Sequence, residues 1–455
     1  MRQAPGTGTG TDSGTAMGTA MGTGTGTAGY RFRSFRAGRT GDHANEETTA
    51  WLQACALGFQ EPVPTPEHLW RVAQAYECDQ RVLTGAYANH RPARAWDPAR
   101  PVATYASFVE PLNVGGGRSL DAHLIASVSV RPNHRRRGLM RELMTADLRA
   151  ARDQGRALAA LSSMEATIYG RFGFGAATFS RRVEVDTGDR FALTVSPAGS
   201  VEVSDPAQLL EIAPELFDRF HAQTLGSVKR PASYPAKVAG MWADDAPEPD
   251  RRARAALHYD AAGGIDGYVS YKILPWDSEP RTILVLDIIW AAASAYFGLW
   301  DFLASIDLVA TVRFANAAMA DPLQWAMADR RGFKVTGEDD GLWLRVLDPV
   351  VALEARSYEA DGDLRIAVRD PLDIAGGVFA LSVHHGKATV TPDDSQDPPA
   401  DVSMGVAALG SLYLGGVRAG TLARTGQVTS TSLAALHLLD ALLAHREQPY
   451  CVTHF

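Results

Sequence analysis

The sequence predicts a mixed α/β protein in several domains, and three observations carry that prediction. The stretch Ala126 to Met144 passes from strand periodicity to helix periodicity across one short basic turn. Residues 184–347 repeat the mixture of β-prone and helical segments, but with no such turn between strand and helix. A third stretch opens at Asp348-Pro349 and returns to a helix followed by strands. At 455 residues the chain is too long for one hydrophobic core. The linear division read from these signals is a Gly/Thr-rich tail at 1–29, then units at 30–183, 184–347 and 348–455.

The elements follow in order. Residues 3–29 are nearly all Gly, Thr and Ala, with Gly-Thr-Ala-Met at 14–17 and again at 18–21. Such a segment buries too little apolar surface to offset its ordering entropy, so it reads as a disordered tail. Met17 and Met21 offer alternative in-frame starts. Tyr30-Arg31-Phe32-Arg33 alternates like a first strand. Trp51, Leu52, Cys55 and Phe59 stand at helix spacing within 45–60, and a second helix fits 67–78 after Pro62, Pro64 and Pro66. Strands fit 80–88, 101–112 and 121–130, with a turn at 113–119. Leu139, Met140, Leu143, Met144 and Leu148 make one helix face, and Gly155 closes that helix. Ala157 to Ser162 is a short buried strand. Met164 to Gly175 reads as a short helix that stops in a glycine-rich turn.

The second unit offers a helix over Pro206 to Gln223, strands at 255–260, 267–273 and 282–290, a helix over Ala295 to Ser305, and a closing strand at 341–347. The third offers a helix over Val351 to Tyr358 and strands at 363–369, 377–384 and 387–391. Asp401 to Leu414 contains a helix start, and Ser432 to His445 is an amphipathic helix. The chain ends in an extended apolar segment, Gln448 to Phe455, which is unusual for a terminus and points to docking.

Composition narrows the function classes. Apolar residues make up 46% and charged residues 21%, as in ordinary globular proteins. The net charge of −8 disfavours a nucleic-acid partner, which needs a basic face, and weakly favours a cationic substrate. Cys55, Cys78 and Cys451 are odd in number and widely spaced, so neither a disulfide framework nor a metal site is expected. No apolar run approaches the roughly 18 residues of a membrane span, and no apolar signal core follows Met1-Arg2. The expected compartment is the cytoplasm, with no membrane partner.

Chemistry concentrates first at Asn133-His134-Arg135-Arg136-Arg137-Gly138. A helix start presents unpaired N–H groups and partial positive charge, which suits a phosphate. Gly138 lets a ligand approach the backbone, and the arginines add forked donors. A pyrophosphate-bearing ligand is the expected occupant.

Arg135-Arg136-Arg137-Gly138-Leu139-Met140 resembles the acetyl-CoA motif of the GNAT acetyltransferases, with Met140 where a small residue is usual. Together with Val128-Ser129-Val130, Ile168-Tyr169-Gly170-Arg171-Phe172-Gly173-Phe174-Gly175, Asp340 to Arg345 and Gly410 to Gly415, it is similar to the enhanced intracellular survival (Eis) family over roughly residues 30–455. The resemblance implies two tandem GNAT-type domains, the second degenerate, followed by a sterol-carrier-protein-like domain. It implies a homohexamer that moves acetyl from acetyl-CoA, with no metal, to aminoglycoside-like polyamines or lysine side chains. Tyr169 would be the proton donor, and the α-carboxylate of Phe455 the proton acceptor. Val128, Ser129, Val130, Arg135, Arg136, Arg137, Gly138, Leu139, Met140, Arg141, Met164 and Glu165 would bind acetyl-CoA, and Glu61 the amine. His454 stands where family members carry an acid. The alternative reading is a non-catalytic CoA- or lipid-binding sensor.

Overall fold

The structure is a computed structural model, and it describes residues 27–163, 165–188, 191–242, 249–275, 280–393, 395 and 399–455. Nearly all of the tail assigned to 1–29 lies outside these residues. Thr27 is described: its carbonyl accepts from Tyr30 N–H at 2.9 Å.

Three sheets organise the chain. The first orders its strands as Tyr30–Arg36, Val82–Ala88, Ala103–Gly115, Arg118–Val130, Leu158–Ser162, Leu342–Val346 and Gly175–Ala176. Two helices, Glu46–Phe59 and Pro66–Cys78, pack beside it. Asn45 caps the first by accepting from Thr48 N–H at 2.8 Å. Thr65 caps the second, with Pro66 pre-set for its first turn. The central hairpin is longer than its sequence implies. Gly115, Gly116 and Gly117 all have positive φ, so the turn is confined to them and the strands run on to either side.

The second sheet orders Ser200–Ser204, Ala253–Tyr259, Ile265–Ile273, Thr282–Trp290, Thr311–Ala318, Phe179–Asp186 and Phe333–Asp340. The first two sheets therefore exchange strands across the linear division at 183/184. Phe179–Asp186 leaves the first unit and pairs in the second sheet. Leu342–Val346 returns from the second unit and pairs antiparallel with Leu158–Ser162 and Gly175–Ala176.

The third sheet runs Lys387–Pro392, Gly377–His384, Gly362–Arg369, Val402–Gly405 and Val428–Ser430. The expected helix start at 401–414 resolves into that short strand followed by a helix, Val406–Leu412. This helix lies so close to Leu342–Val346 that a Cβ on Gly410 would collide with the Leu344 carbonyl. One apolar core runs from Phe108 and Leu112 in the first sheet to Leu439 and Leu442 in the third unit. Burial of these shared side chains ties the units together.

Candidate active site

The site is built on a defect in the strand Arg118–Val130. Its pairing with Ala103–Gly115 jumps from Thr104↔Ser129 to Ala106↔Ala126, so Ser127 and Val128 together face Tyr105. Ser127 has φ 53°, in the left-handed region, which is where the bulge turns. On the other side, the strand pairs in parallel with Leu158–Ser162 only from Ala122↔Leu158 to Ile125↔Leu161. Beyond that the two strands separate, and among the described residues Ala126 to Val130 has no strand partner on that side. An extended chain with amide groups, such as a pantetheine arm, fits there as a surrogate strand.

The strand leads into the basic turn. Pro132–His134 forms one turn of 3₁₀ helix, Arg136 has φ 62°, and Gly138 has φ 80° at the start of the helix Leu139–Asp153. Among the described residues no side chain caps this helix start. A Cβ on Gly138 would meet nothing nearer than Thr27 Cγ2 at 4.0 Å. The N–H groups of the first turn are thus open to an anion. The arginines differ in their roles. Arg137 donates to the Tyr30 hydroxyl at 2.9 Å and to the Asn133 carbonyl at 3.3 Å. Arg135 donates to the Val130 carbonyl at 3.3 Å. Arg136 and Arg141 are exposed and have no hydrogen-bond partner among the described residues. Two arginines brace the turn and two are free to meet a phosphate.

Tyr169 ends the four-residue helix Ala166–Tyr169. It is half-buried in the apolar cluster that also takes Val128, Val130, Met140 and Ile168. Burial, and secondarily the Glu165 carboxylate, push its hydroxyl above the ordinary tyrosine range. It therefore stays protonated at neutral pH. Met164 lies outside the described residues.

Phe455 arrives from the opposite end of the chain. Tyr450 N–H donates to the Leu225 carbonyl at 2.8 Å, and the Thr453 hydroxyl to the Val228 carbonyl at 2.7 Å. Tyr234 accepts from His454 N–H at 2.6 Å and donates to the Val452 carbonyl at 3.3 Å. The Phe455 ring then meets Phe108 edge-on, with centroids 5.8 Å apart. The docking expected of this apolar end is observed.

Phe455, Glu61 and Ser127 line one open cleft of about 1570 Å³, together with Tyr76, Lys237 and Trp242. Tyr169 and the basic turn lie outside that lining. The two halves meet at the bulge, where Ser127 faces the cleft and Val128 packs in the Tyr169 cluster. Cys55 also lines the cleft, but burial and then the Glu61 carboxylate push its thiol up to about 12, too high for a nucleophile at neutral pH. His454 is exposed at the cleft, yet desolvation by the surrounding protein, and then the Arg230 and Lys237 charges, hold its imidazole below the usual range, so it is neutral at pH 7. Among the described residues no cluster of three or more His, Cys, Asp or Glu is arranged to hold a metal. No helix among them is long and apolar enough to cross a membrane.

Sequence reasoning missed Tyr234, Lys237 and Trp242. They come from the second unit, in a proline-broken stretch with no periodicity, and nothing linear connects them to the first-unit cleft.

Family models place this architecture. Two acetyltransferase (GNAT) domains match residues 42–177 and 226–346, and a sterol carrier protein domain matches 349–452. Fold and site together define a multidomain N-acetyltransferase of the GNAT type, a class that uses acetyl-CoA. An N-acetyltransferase of Streptomyces avermitilis is 33% identical over 423 residues, spanning 90% of this chain and 97% of that protein. The N-acetyltransferase Eis of Mycobacterium tuberculosis is 34% identical over 341 residues, covering 73% and 80%. The crystal structure of Eis1 from Mycobacterium abscessus superposes with a TM-score of 0.69 at 29% identity, covering 82% and 90%. A GNAT protein of Anabaena variabilis shares the fold, with a TM-score of 0.75 at 19% identity over 93% and 100%. The chain belongs to the Eis family of N-acetyltransferases.

Proposed function

We propose that this enzyme transfers acetyl from acetyl-CoA directly to an amine, with Tyr169 as proton donor and the Phe455 α-carboxylate as proton acceptor. The observation that carries the reading is the bulge. A thioester lying along Val128 to Val130 would face the Phe455 cleft on one side and the Tyr169 cluster on the other. The pyrophosphate would rest on the helix start at Gly138, Leu139 and Met140, with Arg136 and Arg141 beside it and Arg135 and Arg137 bracing the turn.

The chemistry then balances. A free α-carboxylate has a pKa of roughly 3.5, so it is ionised and accepts the proton of the bound ammonium. The amine nitrogen attacks the thioester carbonyl carbon. Backbone N–H groups at the bulge stabilise the negative charge that develops on oxygen. The C–S bond breaks, sulfur keeps its electron pair and takes the Tyr169 proton, and the adduct nitrogen releases its surplus proton, which restores Tyr169 through water. The products are the acetamide and CoA. Glu61 gives the cleft a second carboxylate for a cationic substrate, either an aminoglycoside-like polyamine or a protein lysine. A homohexamer in the cytoplasm belongs to the same reading, as the resemblance implies. The net charge of −8 argues against a nucleic-acid partner.

The test is thiol release from acetyl-CoA with a panel of aminoglycosides, diamines and lysine peptides. Amine-dependent turnover is expected. CoA binding without turnover on any amine would replace the enzyme reading with a sensor.

A further inference from the structure

The stretch Asp340 to Arg345 stands out in the sequence, yet nothing in the acetyl-transfer chemistry uses it. Its last residue, Arg345, lies on the strand Leu342–Val346 and is fully buried. One guanidinium nitrogen donates to the Phe172 carbonyl, three residues after Tyr169. Another bonds the Asp370 carboxylate of the third unit at 2.6 Å, and that carboxylate is fully buried as well. The guanidinium lies so close to the backbone of the turn that any Cβ on Gly173 would collide with it.

Tyr169 depends on this turn. Its own helix has four residues, too few to be stable alone, and residues 165–167 are exposed. Its anchoring comes from downstream, where Phe174 N–H donates to the Tyr169 carbonyl at 3.3 Å and Phe172 to Gly175 are buried. Asp370 is rigid in turn. It accepts from the N–H groups of Leu372 and Ile374 at 3.0 Å and of Ala375 at 2.9 Å. Leu372 and Ile374 pack in the cluster that holds Phe172, Phe174 and Tyr169. Arg149, on the helix that follows the basic turn, donates to the Leu372 carbonyl at 3.2 Å.

We infer that Arg345 and Asp370 are positioning residues for Tyr169, through which the third unit sets the proton donor as well as supplying the C-terminal carboxylate. The inference rests on the reading of Tyr169 as proton donor. A fully buried ion pair is no great source of stability, because apolar residues of similar volume replace such pairs at little cost. What it supplies is direction: a planar fork with one arm on the catalytic turn and one on the third unit.

The test is a double-mutant cycle read by steady-state kinetics. Arg345→Lys keeps the charge but cannot span both acceptors. It is expected to lower kcat about tenfold with the KM for acetyl-CoA within about twofold. In a Tyr169→Phe background the same change should cost less than about twofold, because the group it positions is gone. Equal losses in both backgrounds, or no loss in either, would overturn the inference and leave Tyr169 as donor. An unchanged rate in Tyr169→Phe alone would remove the donor reading and this inference with it. If Arg345→Lys does not fold, the pair Arg345→Met with Asp370→Asn leaves no buried charge unpaired, keeps an acceptor for the loop N–H groups and enters the same cycle. Expected there is a folded enzyme with the same kcat loss, abolished in the Tyr169→Phe background.

Discussion

The main-chain N–H of His454 donates to the Tyr234 hydroxyl at 2.6 Å, so a side chain of the second unit fixes the penultimate residue of the chain. Tyr234 is buried, and its hydroxyl also donates to the Val452 carbonyl. The second acetyltransferase unit thereby acquires a use, as the frame that aims the C-terminus into its neighbour's cleft. Tyr234→Phe keeps the ring and removes both bonds. A half-buried donor left unpaired costs about 1–3 kcal/mol locally, enough to let the last two residues swing out. The expected result is a kcat reduced about tenfold, an unchanged KM for acetyl-CoA and an unchanged melting temperature, checked by steady-state kinetics and calorimetry.

Two glycines appended after Phe455 test the carboxylate itself. The ring would keep its contact with Phe108, and the upstream bonds of Tyr450 and Thr453 would hold the segment in place. The charge, however, would move several ångströms along the chain. A misplaced general base forfeits roughly 100-fold in rate. Transfer is expected to fall by about that factor while CoA still binds, as measured by calorimetric titration. A rate equal to the parent's takes the carboxylate out of the mechanism.

Tyr169→Phe should lower kcat by about 100-fold or more and leave acetyl-CoA affinity nearly intact. The pH dependence carries a second signature. Tyr169 must be protonated to donate, and burial followed by the Glu165 carboxylate holds its pKa above the ordinary value of 10. Its deprotonation therefore cannot cause a loss of kcat below about pH 10. A pH–rate profile that is flat or rising from pH 7 to 9.5 is expected, and a fall within that range would assign the donor elsewhere.

These parts were not equally legible in the sequence. The basic turn declares itself because strand, glycine and helix are local signals, and Leu139–Asp153 is found where the periodicity puts it. The bulge at Ser127 is invisible, because a left-handed serine has no compositional mark. The sequence assigns no element to Phe333–Asp340, yet it is an edge strand. Its Glu338 and Asp339 pair across to Arg181 and Arg182, an arrangement that charges an exposed edge. The exchange of Phe179–Asp186 for Leu342–Val346 is a matter of non-local pairing, and local periodicity carries no trace of it. With that exchange went the chance to foresee Lys237 and Trp242 at the cleft.

His445 gives a pH-dependent stability. Arg356 donates to its Nε2 at 2.9 Å, so that nitrogen must be an unprotonated acceptor. Burial, together with the Arg356 charge, lowers its pKa to about 4. An unfolded histidine takes its proton near pH 6.5 and the native one only near pH 4. Between those values the unfolded state binds more protons, so stability is full above pH 6.5 and is lost as the pH falls toward 4, by at most about 3 kcal/mol. Glu110, raised by burial and Asp79 to about 7, and Asp321, raised by burial to about 6, act in the opposite sense. The parent's slope alone is therefore a mixture. The comparison that isolates His445 is with His445→Gln, whose amide oxygen also accepts from Arg356. The melting temperatures of parent and variant should differ by a constant above pH 7, and the variant should gain relative to the parent between pH 6.5 and 4.

Gly58 tests the acetyl-CoA side of the bulge. It lies on the helix Glu46–Phe59, where an added Cβ would stand 2.6 Å from Ser129 Cβ and closer still to its hydroxyl. No rotation of the Ser129 side chain relieves a clash with its Cβ, so the backbone of the bulged strand must move. Ser129 is also tied in place: its hydroxyl pairs with Thr104 Oγ1 at 2.7 Å, and that oxygen donates to the Ser127 carbonyl at 2.9 Å. Alanine gains about 1 kcal/mol over glycine in helix propensity, whereas overpacking costs about 1–3 kcal/mol, so the net effect of Gly58→Ala is destabilising. More telling is where the strain falls. It displaces Ser127 to Val130, the stretch proposed to bind the thioester, so the KM for acetyl-CoA should rise about tenfold. Ser129→Gly removes both clashing atoms, and the double variant should regain most of the acetyl-CoA affinity. If the single variant binds acetyl-CoA as the parent does, despite a lowered melting temperature, then Val128 to Val130 does not hold the ligand.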